Sequence, residues 1–217
     1  MMRKDRTGMM LVICAPSGTG KTTLTRRLLK EFARLTYSVS YTTRPPRANE
    51  VHGRDYFFTT TEHFIELRDQ GFFAEWAQVH GSQYGTPLKA TRDLLEQGRD
   101  VIFDIDVHGA LQLKSSLGAN RGCFVFVMPP SYELLEQRLH SRGTDDASAI
   151  KRRMINAMGE MQQAHWFDAW IVNDDLDRAY DELRSVYLAA ALAPACWPGL
   201  VESILEGWRM LLEMEHK

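Results

Sequence analysis

The chain has 217 residues, of which 44% are hydrophobic and 25% are charged, and its formal net charge is −2. This composition excludes the disordered class, which is poor in apolar residues, and the near-neutral charge argues against a chain-wide basic surface for nucleic acid. The length fits one domain with inserted parts. The three cysteines (Cys14, Cys123 and Cys196) are scattered without a C-x-x-C pair, so they predict neither a disulfide framework nor a zinc site.

The amino-terminal segment could be mistaken for a signal peptide. Arg3, Lys4 and Arg6 precede the apolar run 9–15, but this run is barely long enough and leads into a glycine-rich loop. No stretch approaches the roughly 20 apolar residues of a membrane span. With reduced thiols, we therefore expect a cytoplasmic protein without membrane or nucleic-acid partners, and a homo-oligomer stays open.

Apolar segments of strand length alternate with amphipathic helical segments along the chain. The predicted strands are 9–15, 100–106, 123–128 and 170–172. The predicted helices are 21–35, 132–141 with Ser131 as its N-cap, and a helix that is capped by Asp174 or Asp175 and runs to about residue 193. This alternation predicts an α/β fold with a mostly parallel sheet covered by helices on both faces.

Two segments interrupt the alternation. Residues 37–89 are rich in Thr, Arg, Tyr and Phe and predict an inserted small antiparallel subdomain with one helix near 62–70. Residues 138–153 are dense in arginine around Gly143 and predict a mobile helical lid. The remaining core comprises residues 9–36, 99–137 and 154–193.

Residues 194–217 form a carboxy-terminal extension in which 200–214 predict an amphipathic helix. Its apolar stripe consists of Leu200, Ile204, Leu205, Trp208, Leu211 and Leu212. We expect this helix to dock on the domain. A dimer contact is the alternative, and a membrane-surface role is less favoured because basic residues are sparse.

A phosphate-binding loop stands between the first predicted strand and helix. Residues 15–22 (APSGTGKT) match G-x-x-x-x-G-K-[ST], except that Ala15 replaces the first glycine. In such a loop, backbone N–H groups at a helix start point at phosphate, Lys21 reaches the β/γ oxygens and the Thr22 hydroxyl ligates Mg²⁺. The loop predicts binding of ATP or GTP through Ala15, Pro16, Ser17, Gly18, Thr19, Gly20, Lys21, Thr22 and Thr23.

Two aspartates follow the apolar strand that begins at residue 100. Asp104 suits the carboxylate that holds magnesium through water beside such a loop. Asp106, two residues further on, is predicted to project to the same side by strand period.

Several longer segments then occur in series, and with them the chain resembles the guanylate kinases over about residues 10–188. The matching segments are APSGTGKTT, VSYTTRPPRANEVHGRDYFF, FAEWAQVHGSQYGTP, DVIFDIDVHGA, RLHSRGT and IVNDDLDRAY. The resemblance implies a P-loop NTPase core with an inserted GMP-binding subdomain and a helical lid. It also implies Mg²⁺-dependent transfer of the ATP γ-phosphoryl group to GMP or dGMP, in purine nucleotide metabolism.

The resemblance also assigns site residues. The family's GMP-phosphate cluster corresponds to Arg44, Arg47, Tyr56 and Tyr84, and its guanine-reading residues correspond to Ser40, Glu75, Thr86 and Asp106, with Asp104 beside them. Asn173 matches a segment next to the adenine of ATP. The lid arginines, which would join Lys21 and Arg44 in catalysis, are Arg138, Arg142 and Arg153, although Lys151 and Arg152 compete for the role.

The chemistry of these side chains supports a guanine acceptor. Guanidinium groups bind a phosphate dianion bidentately. A carboxylate at Glu75 can accept from the ring N–H and amino group of guanine, whereas adenine would face it lone pair to lone pair. Two alternatives stay open: a non-catalytic interaction module of the same fold, and a kinase that acts on a different phosphorylated acceptor.

Overall fold

The computed structural model describes residues 6–79, 81–118, 122–141 and 146–215. Within these residues the chain alternates between strands and helices, as the sequence predicts. In chain order the elements are β1 (Met10–Cys14), α1 (Lys21–Glu31), β2 (Leu35–Tyr37), β3 (Tyr41–Thr42), β4 (Phe57–Phe58), α2 (Thr61–Asp69), β5 (Phe73–Val79), β6 (Ser82–Pro87), α3 (Leu88–Glu96), β7 (Asp100–Asp104), α4 (Val107–Ser116), β8 (Gly122–Met128), α5 (Tyr132–His140), α6 (Ala147–Gln162), β9 (Ala169–Val172), α7 (Leu176–Ala190) and α8 (Leu200–Glu215).

The larger sheet confirms the predicted α/β fold. Its five strands are parallel and lie in the order β2-β7-β1-β8-β9. The central strand β1 is buried along its whole length, with Val12 in register with Phe103 on one side and Phe124 on the other. Apolar clusters on both faces pack this sheet against helices, which explains why its strands are continuous apolar runs.

Two predicted boundaries are wrong. The helix predicted over 21–35 ends at Glu31, and Leu35 instead begins the edge strand β2, where it is buried beside β7. The strand predicted over 100–106 ends at Asp104. Asp106 is the N-cap of α4, and its carboxylate accepts a hydrogen bond from the Gly109 amide at 2.7 Å, because a helix start offers unpaired N–H groups.

The small sheet is formed by the inserted segment, in the order β4-β3-β6-β5. Strand β6 pairs antiparallel with both β3 and β5, as predicted, but β3 pairs with β4 in parallel, so the sheet is mixed. Aromatic side chains fill its inner face, and α2 contributes Phe64, which stacks on Phe73 at 4.5 Å between ring centroids. This packing fixes the sheet from which the acceptor residues project.

The two helices at the ends of the predicted lid share a small apolar core. Helix α5 begins after Ser131, whose hydroxyl accepts from the Leu134 amide and confirms the predicted N-cap. Helices α5 and α6 share a cluster that is distinct from the two clusters of the large sheet and consists of Leu135, Leu139, Ile150, Met154 and Ala157. The predicted lid, residues 138–153, therefore joins two helices that pack against each other and extend beyond it on both sides.

A buried ion pair anchors the amino-terminal segment to the large sheet. The Arg6 guanidinium donates to both carboxylate oxygens of Asp100, at 2.8 and 3.2 Å, and both residues are buried. The same carboxylate accepts from the Met9 amide at 2.9 Å and from the Tyr187 hydroxyl at 2.8 Å. Four donated hydrogen bonds thus satisfy a charge that would be costly to bury alone.

The carboxy-terminal extension meets the amino-terminal segment and then leads away from the domain. The Thr7 amide donates to the Cys196 carbonyl at 3.0 Å, and the Thr7 hydroxyl donates to the Ala195 carbonyl at 3.3 Å. Beyond this contact, α8 forms as predicted. None of the described helices is long and apolar enough to cross a membrane.

The prediction that α8 docks on the domain is wrong. The described apolar side chains of the helix are 37–63% exposed: Leu200, Val201, Ile204, Leu205, Trp208, Met210 and Leu212. The physical reason is that α1 and α7 already cover one face of the large sheet and other helices cover the opposite face. An amphipathic pattern predicts that a helix forms, but it does not predict which surface, if any, the apolar side of the helix packs against.

Candidate active site

The phosphate-binding loop connects β1 to α1, and Lys21, Thr22 and Thr23 form the first turn of that helix. Gly18 and Gly20 adopt positive φ angles of 95° and 98°, which side chains rarely tolerate. A Cβ at Gly18 would also lie 2.9 Å from the Leu139 side chain of the lid. Because Gly20 is the N-cap and offers no side-chain oxygen, the first amides of α1 can serve an anion.

Lys21 is anchored at the end of the neighbouring strand. Its Nζ lies 2.7 Å from the Asp104 carboxylate and donates to the Ile105 carbonyl at 3.1 Å. Burial is the largest single effect and disfavours the charge of Lys21, but Asp104, Cys14 and Glu160 together outweigh it, so the pKa of the ammonium is raised. Lys21 is thus held cationic at the carboxyl end of the sheet.

Asn173 and Arg138 both bind the backbone of the loop. The Asn173 side-chain amide donates to the Thr19 carbonyl at 2.6 Å, and it is so close that a Cβ at Gly20 would lie 2.5 Å from its nitrogen. The Arg138 guanidinium donates to the same carbonyl at 3.4 Å and to the Asn173 carbonyl at 3.1 Å. The structure therefore brings these two predicted residues together with the loop.

Two further arginines, Arg142 and Arg153, are predicted for the lid. Arg153 lies on α6 and is half-buried. Arg142 lies outside the described residues. Arg152, which competes for the same role in the sequence, is exposed and donates to the Ser148 hydroxyl at 3.1 Å.

The oxygen donors expected for magnesium fit that ion chemically. Thr22 offers a hydroxyl at the start of α1, and Asp104 offers a carboxylate at the end of β7 that is 27% exposed. Across the described ranges, no three or more His, Cys, Asp or Glu side chains gather into a metal-binding cluster. A hydroxyl and one carboxylate suit an ion that takes its other ligands from nucleotide phosphates and water.

The predicted phosphate cluster on the small sheet comes together around Arg44. Its guanidinium carbon lies 5.5 Å from the Tyr56 ring centroid, and the Tyr56 and Tyr84 rings are 6.0 Å apart. Its Nη2 donates to both carboxylate oxygens of Glu50, at 2.8 and 3.0 Å. Glu50 and, less strongly, Tyr84 raise the pKa of the Arg44 guanidinium, which stays fully charged.

Arg47 lies on the same loop but projects into solvent. Its side chain is exposed, and its backbone amide donates to Glu50 at 2.8 Å. Hydrogen bonds from Arg44 and from the Arg47 backbone lower the pKa of Glu50, which keeps the carboxylate ionised. Glu50 thereby closes the loop that carries both arginines.

The predicted guanine-reading residues form a hydrogen-bonded series across two strands. The Thr86 hydroxyl donates to Glu75 at 2.6 Å and lies 3.4 Å from the Ser40 hydroxyl. Glu75 is 4% exposed and Thr86 is fully buried. Burial, together with the Asp106 charge, outweighs the Thr86 hydrogen bonds and raises the pKa of Glu75 to about 7.

Asp106, the N-cap of α4, lies beside this group. A Cβ at Gly109 would lie 2.9 Å from the second Glu75 oxygen and 3.4 Å from Asp106 Oδ1. Any larger residue at this position would therefore displace the Glu75 carboxylate. The backbone carbonyl of Asp106 also accepts from the Cys14 thiol at 3.4 Å, next to the phosphate-binding loop. The start of helix α4 thus lies between the phosphate-binding loop and the Glu75 carboxylate.

Sequence reasoning missed Glu50, Glu160 and Gln112. Burial, opposed by Lys21 and reinforced by Asp106, raises the pKa of Glu160 on α6 to about 7. In the sequence, Glu160 and Gln112 look like ordinary polar helix residues. Glu50 carried a detectable signal, because an acidic residue stands near two arginines that a Pro-Pro pair restrains.

The fold and the site together define a P-loop kinase of nucleoside monophosphates. A family model described as guanylate kinase matches residues 7–190. The guanylate kinase of Oleidesulfovibrio alaskensis is 64% identical over 208 residues, which cover 96% of this chain and 100% of the relative. That of Nitratidesulfovibrio vulgaris is 62% identical over 207 residues, covering 95% and 99%.

A solved structure agrees with these relatives. The crystal structure of guanylate kinase from Anaplasma phagocytophilum matches with a TM-score of 0.74 and 29% identity, over 92% of this chain and 95% of that one. The chain belongs to the guanylate kinase family.

Proposed function

We propose that the chain transfers the γ-phosphoryl group of ATP directly to GMP, with ATP on the phosphate-binding loop and GMP on the small sheet. The observation that carries this proposal is the buried Glu75 carboxylate, which lies in series with Thr86 and Ser40 and faces Asp106. A buried acceptor-only group suits the ring N–H and amino group of guanine. It would leave an unpaired charge opposite adenine.

On the acceptor side, Arg44, Tyr56 and Tyr84 bind the phosphate of GMP, and Arg47 completes the cluster from the same loop. The proximity of Arg44 to the Tyr56 ring, the contact between the two tyrosine rings and the interaction of Arg44 with Tyr84 support this assignment. The attacking atom is already an ionised phosphate oxygen, so the transfer requires neither a general base nor a covalent intermediate. Positioning and neutralisation of two polyanions remain as the main catalytic tasks.

On the donor side, the loop amides and Lys21 hold the phosphates of ATP. Thr22 and, through water, Asp104 would hold Mg²⁺, which when bound neutralises phosphate charge. Asn173 supports the loop from the adenine side through its bond to Thr19. Arg138 is already positioned against the loop, and we assign it, with Arg142 and Arg153 of the lid, to the transferring group.

We also propose that the protein works in a reducing compartment such as the cytoplasm. All three cysteines are free thiols, and two of them are buried. Burial raises the pKa of the Cys14 and Cys123 thiols to about 12, which keeps them protonated and weakly reactive.

An acceptor panel tests the proposal. With ATP as donor, we expect turnover with GMP and dGMP and little with AMP or UMP in a coupled assay. Glu75→Gln should lower the preference for GMP over AMP by about 100-fold, because the amide can donate toward the adenine ring nitrogen. An unchanged preference in this variant would refute the guanine readout, and turnover with every acceptor would refute the assigned specificity.

A further inference from the structure

Strand β5, which carries Glu75, lies at the edge of the small sheet, and helix α4 occupies its open side. The Gln112 side chain pairs with the strand as a neighbouring strand would. Its Oε1 accepts from the Trp76 amide at 3.0 Å, and its Nε2 donates to the Trp76 carbonyl at 2.9 Å. The Ser116 hydroxyl donates to the Ala74 carbonyl at 2.7 Å.

These three hydrogen bonds bracket Glu75. Ala74 and Trp76 are its immediate neighbours, and α4 binds their outward-facing backbone groups. On the inner side, Glu75 itself is in register with Thr86, just after an irregularity in the β5–β6 pairing. Strand β5 is therefore held by α4 on one side and by β6 on the other at Glu75, the residue proposed to bind guanine.

Helix α4 is also part of the nucleotide core. It begins at the Asp106 cap directly after β7, and Gly109 contacts the Glu75 carboxylate one turn later. Gln112 and Ser116 follow at spacings of about one turn each, so these residues share one face of the helix. Helix α4 thus carries the Asp106 carboxylate at its N-cap and leaves space for the Glu75 carboxylate at Gly109. Its Gln112 and Ser116 side chains hydrogen-bond the strand that carries Glu75.

We infer that Gln112 and Ser116 are positioning residues that set Glu75 at its distance from Asp106 before GMP arrives. The inference rests on the proposed role of Glu75 in reading guanine. Preorganisation of this kind lowers the cost of binding the correct base. Without these hydrogen bonds, β5 can shift relative to α4. The pocket then loses both its affinity for GMP and its preference for GMP over AMP.

The chain offers a matched pair of serines for the test. Ser116→Ala removes the bond to β5, whereas Ser115→Ala removes only a hydroxyl that bonds the Leu111 carbonyl of the same helix. Gln112→Ala removes both bonds to Trp76. Gln112→Glu keeps an acceptor for the Trp76 amide but sets a carboxylate oxygen against its carbonyl.

We expect Gln112→Ala and Ser116→Ala each to raise the KM for GMP by about 3- to 10-fold, the value of one or two hydrogen bonds. The preference for GMP over AMP should fall in parallel, while kcat at saturating GMP and the KM for ATP stay within about twofold. Gln112→Glu should lie between Gln112→Ala and the unaltered chain. Ser115→Ala should match the unaltered chain in every parameter.

Glu75→Gln, assayed in parallel, separates this inference from the proposed function. If Glu75→Gln relaxes the preference for GMP but Gln112→Ala and Ser116→Ala behave like Ser115→Ala, the positioning role is wrong and the guanine readout stands. A loss of thermal stability in these variants without a change in acceptor preference would also overturn it. If Glu75→Gln leaves the preference intact, the proposed function itself fails.

Discussion

The regions proposed to bind ATP and GMP, the donor and acceptor regions, present their phosphate-binding groups in different ways. In the donor region, backbone amides at the start of α1 and the single Lys21 side chain are held at the ends of the buried strands β1 and β7. In the acceptor region, the functional groups are side chains on β5, on β6 and on the loop around Arg44, and they hold one another through hydrogen bonds. The donor region therefore presents mainly backbone groups, whereas the acceptor region presents side chains that depend on one another for their positions.

Removal of the Lys21 charge should have the largest effect. Lys21→Ala is expected to lower kcat by about 100- to 1,000-fold, as for other groups that stabilise developing charge. The affinity for GMP, measured by calorimetry, should change less than about twofold because Lys21 serves only the donor side. Lys30→Ala, an exposed lysine in the last turn of the same helix, is the control. An equal loss of GMP affinity in Lys21→Ala would show that the two regions are assigned wrongly.

Arg44→Ala should show the opposite pattern. We expect the KM for GMP to rise by about 10- to 100-fold, the cost of losing a charged hydrogen-bond donor, while the KM for ATP stays nearly unchanged. Arg54→Ala provides the comparison, since this arginine is exposed on a nearby turn and pairs with Asp55. Similar KM values for GMP in the two variants would contradict a phosphate-binding role for Arg44.

The pH dependence of GMP binding should report Glu75. With its pKa raised to about 7, Glu75 is mostly protonated at pH 6 and mostly ionised at pH 8. Only the ionised form accepts both guanine N–H groups, so the KM for GMP should rise by about tenfold per pH unit below 7 and level off above it. Glu75→Gln should lose this slope but keep the titration of the GMP phosphate. Equal slopes in both proteins would exclude Glu75 as the titrating group.

The smallest expected effect concerns stability rather than either nucleotide. Tyr187→Phe removes one hydrogen bond to the buried Asp100 carboxylate and should lower the free energy of unfolding by about 1 kcal/mol. Tyr180→Phe, whose hydroxyl bonds the more exposed Glu31, should cost less. Urea titration measures both, and a larger loss in Tyr180→Phe would contradict this ranking.

Local signals in the sequence predicted most of the fold. The glycine-rich loop and the Ser131 cap depend on residues a few positions apart. The same holds for the aspartate cap predicted at 174 or 175, which the structure places at Asp175. Continuous apolar runs predicted buried parallel strands because both sheet faces are covered. The resemblance also named the residues that gather around Glu75 and Arg44.

Long-range pairings could not be predicted in this way. The partners Arg6 and Asp100 are 94 residues apart, and Gln112 and Trp76 are 36 residues apart. Strand period misplaced Asp106 because the carboxylate satisfies a helix start instead of continuing the strand. The stripe on residues 200–214 predicted the helix correctly, but amphipathicity says nothing about what lies beside it.

The hydrogen bonds between Thr7 and residues 195 and 196 bring the segment before β1 beside the segment after α7, at the end of β1 opposite the phosphate-binding loop. In a chain trimmed to residues 7–196, a peptide of a few residues would therefore join these two segments into a closed ring, with new termini opened in a surface turn elsewhere. A purification tag or an immobilisation handle attached at the contact between Thr7 and residues 195 and 196 would lie at the opposite end of β1 from the phosphate-binding loop.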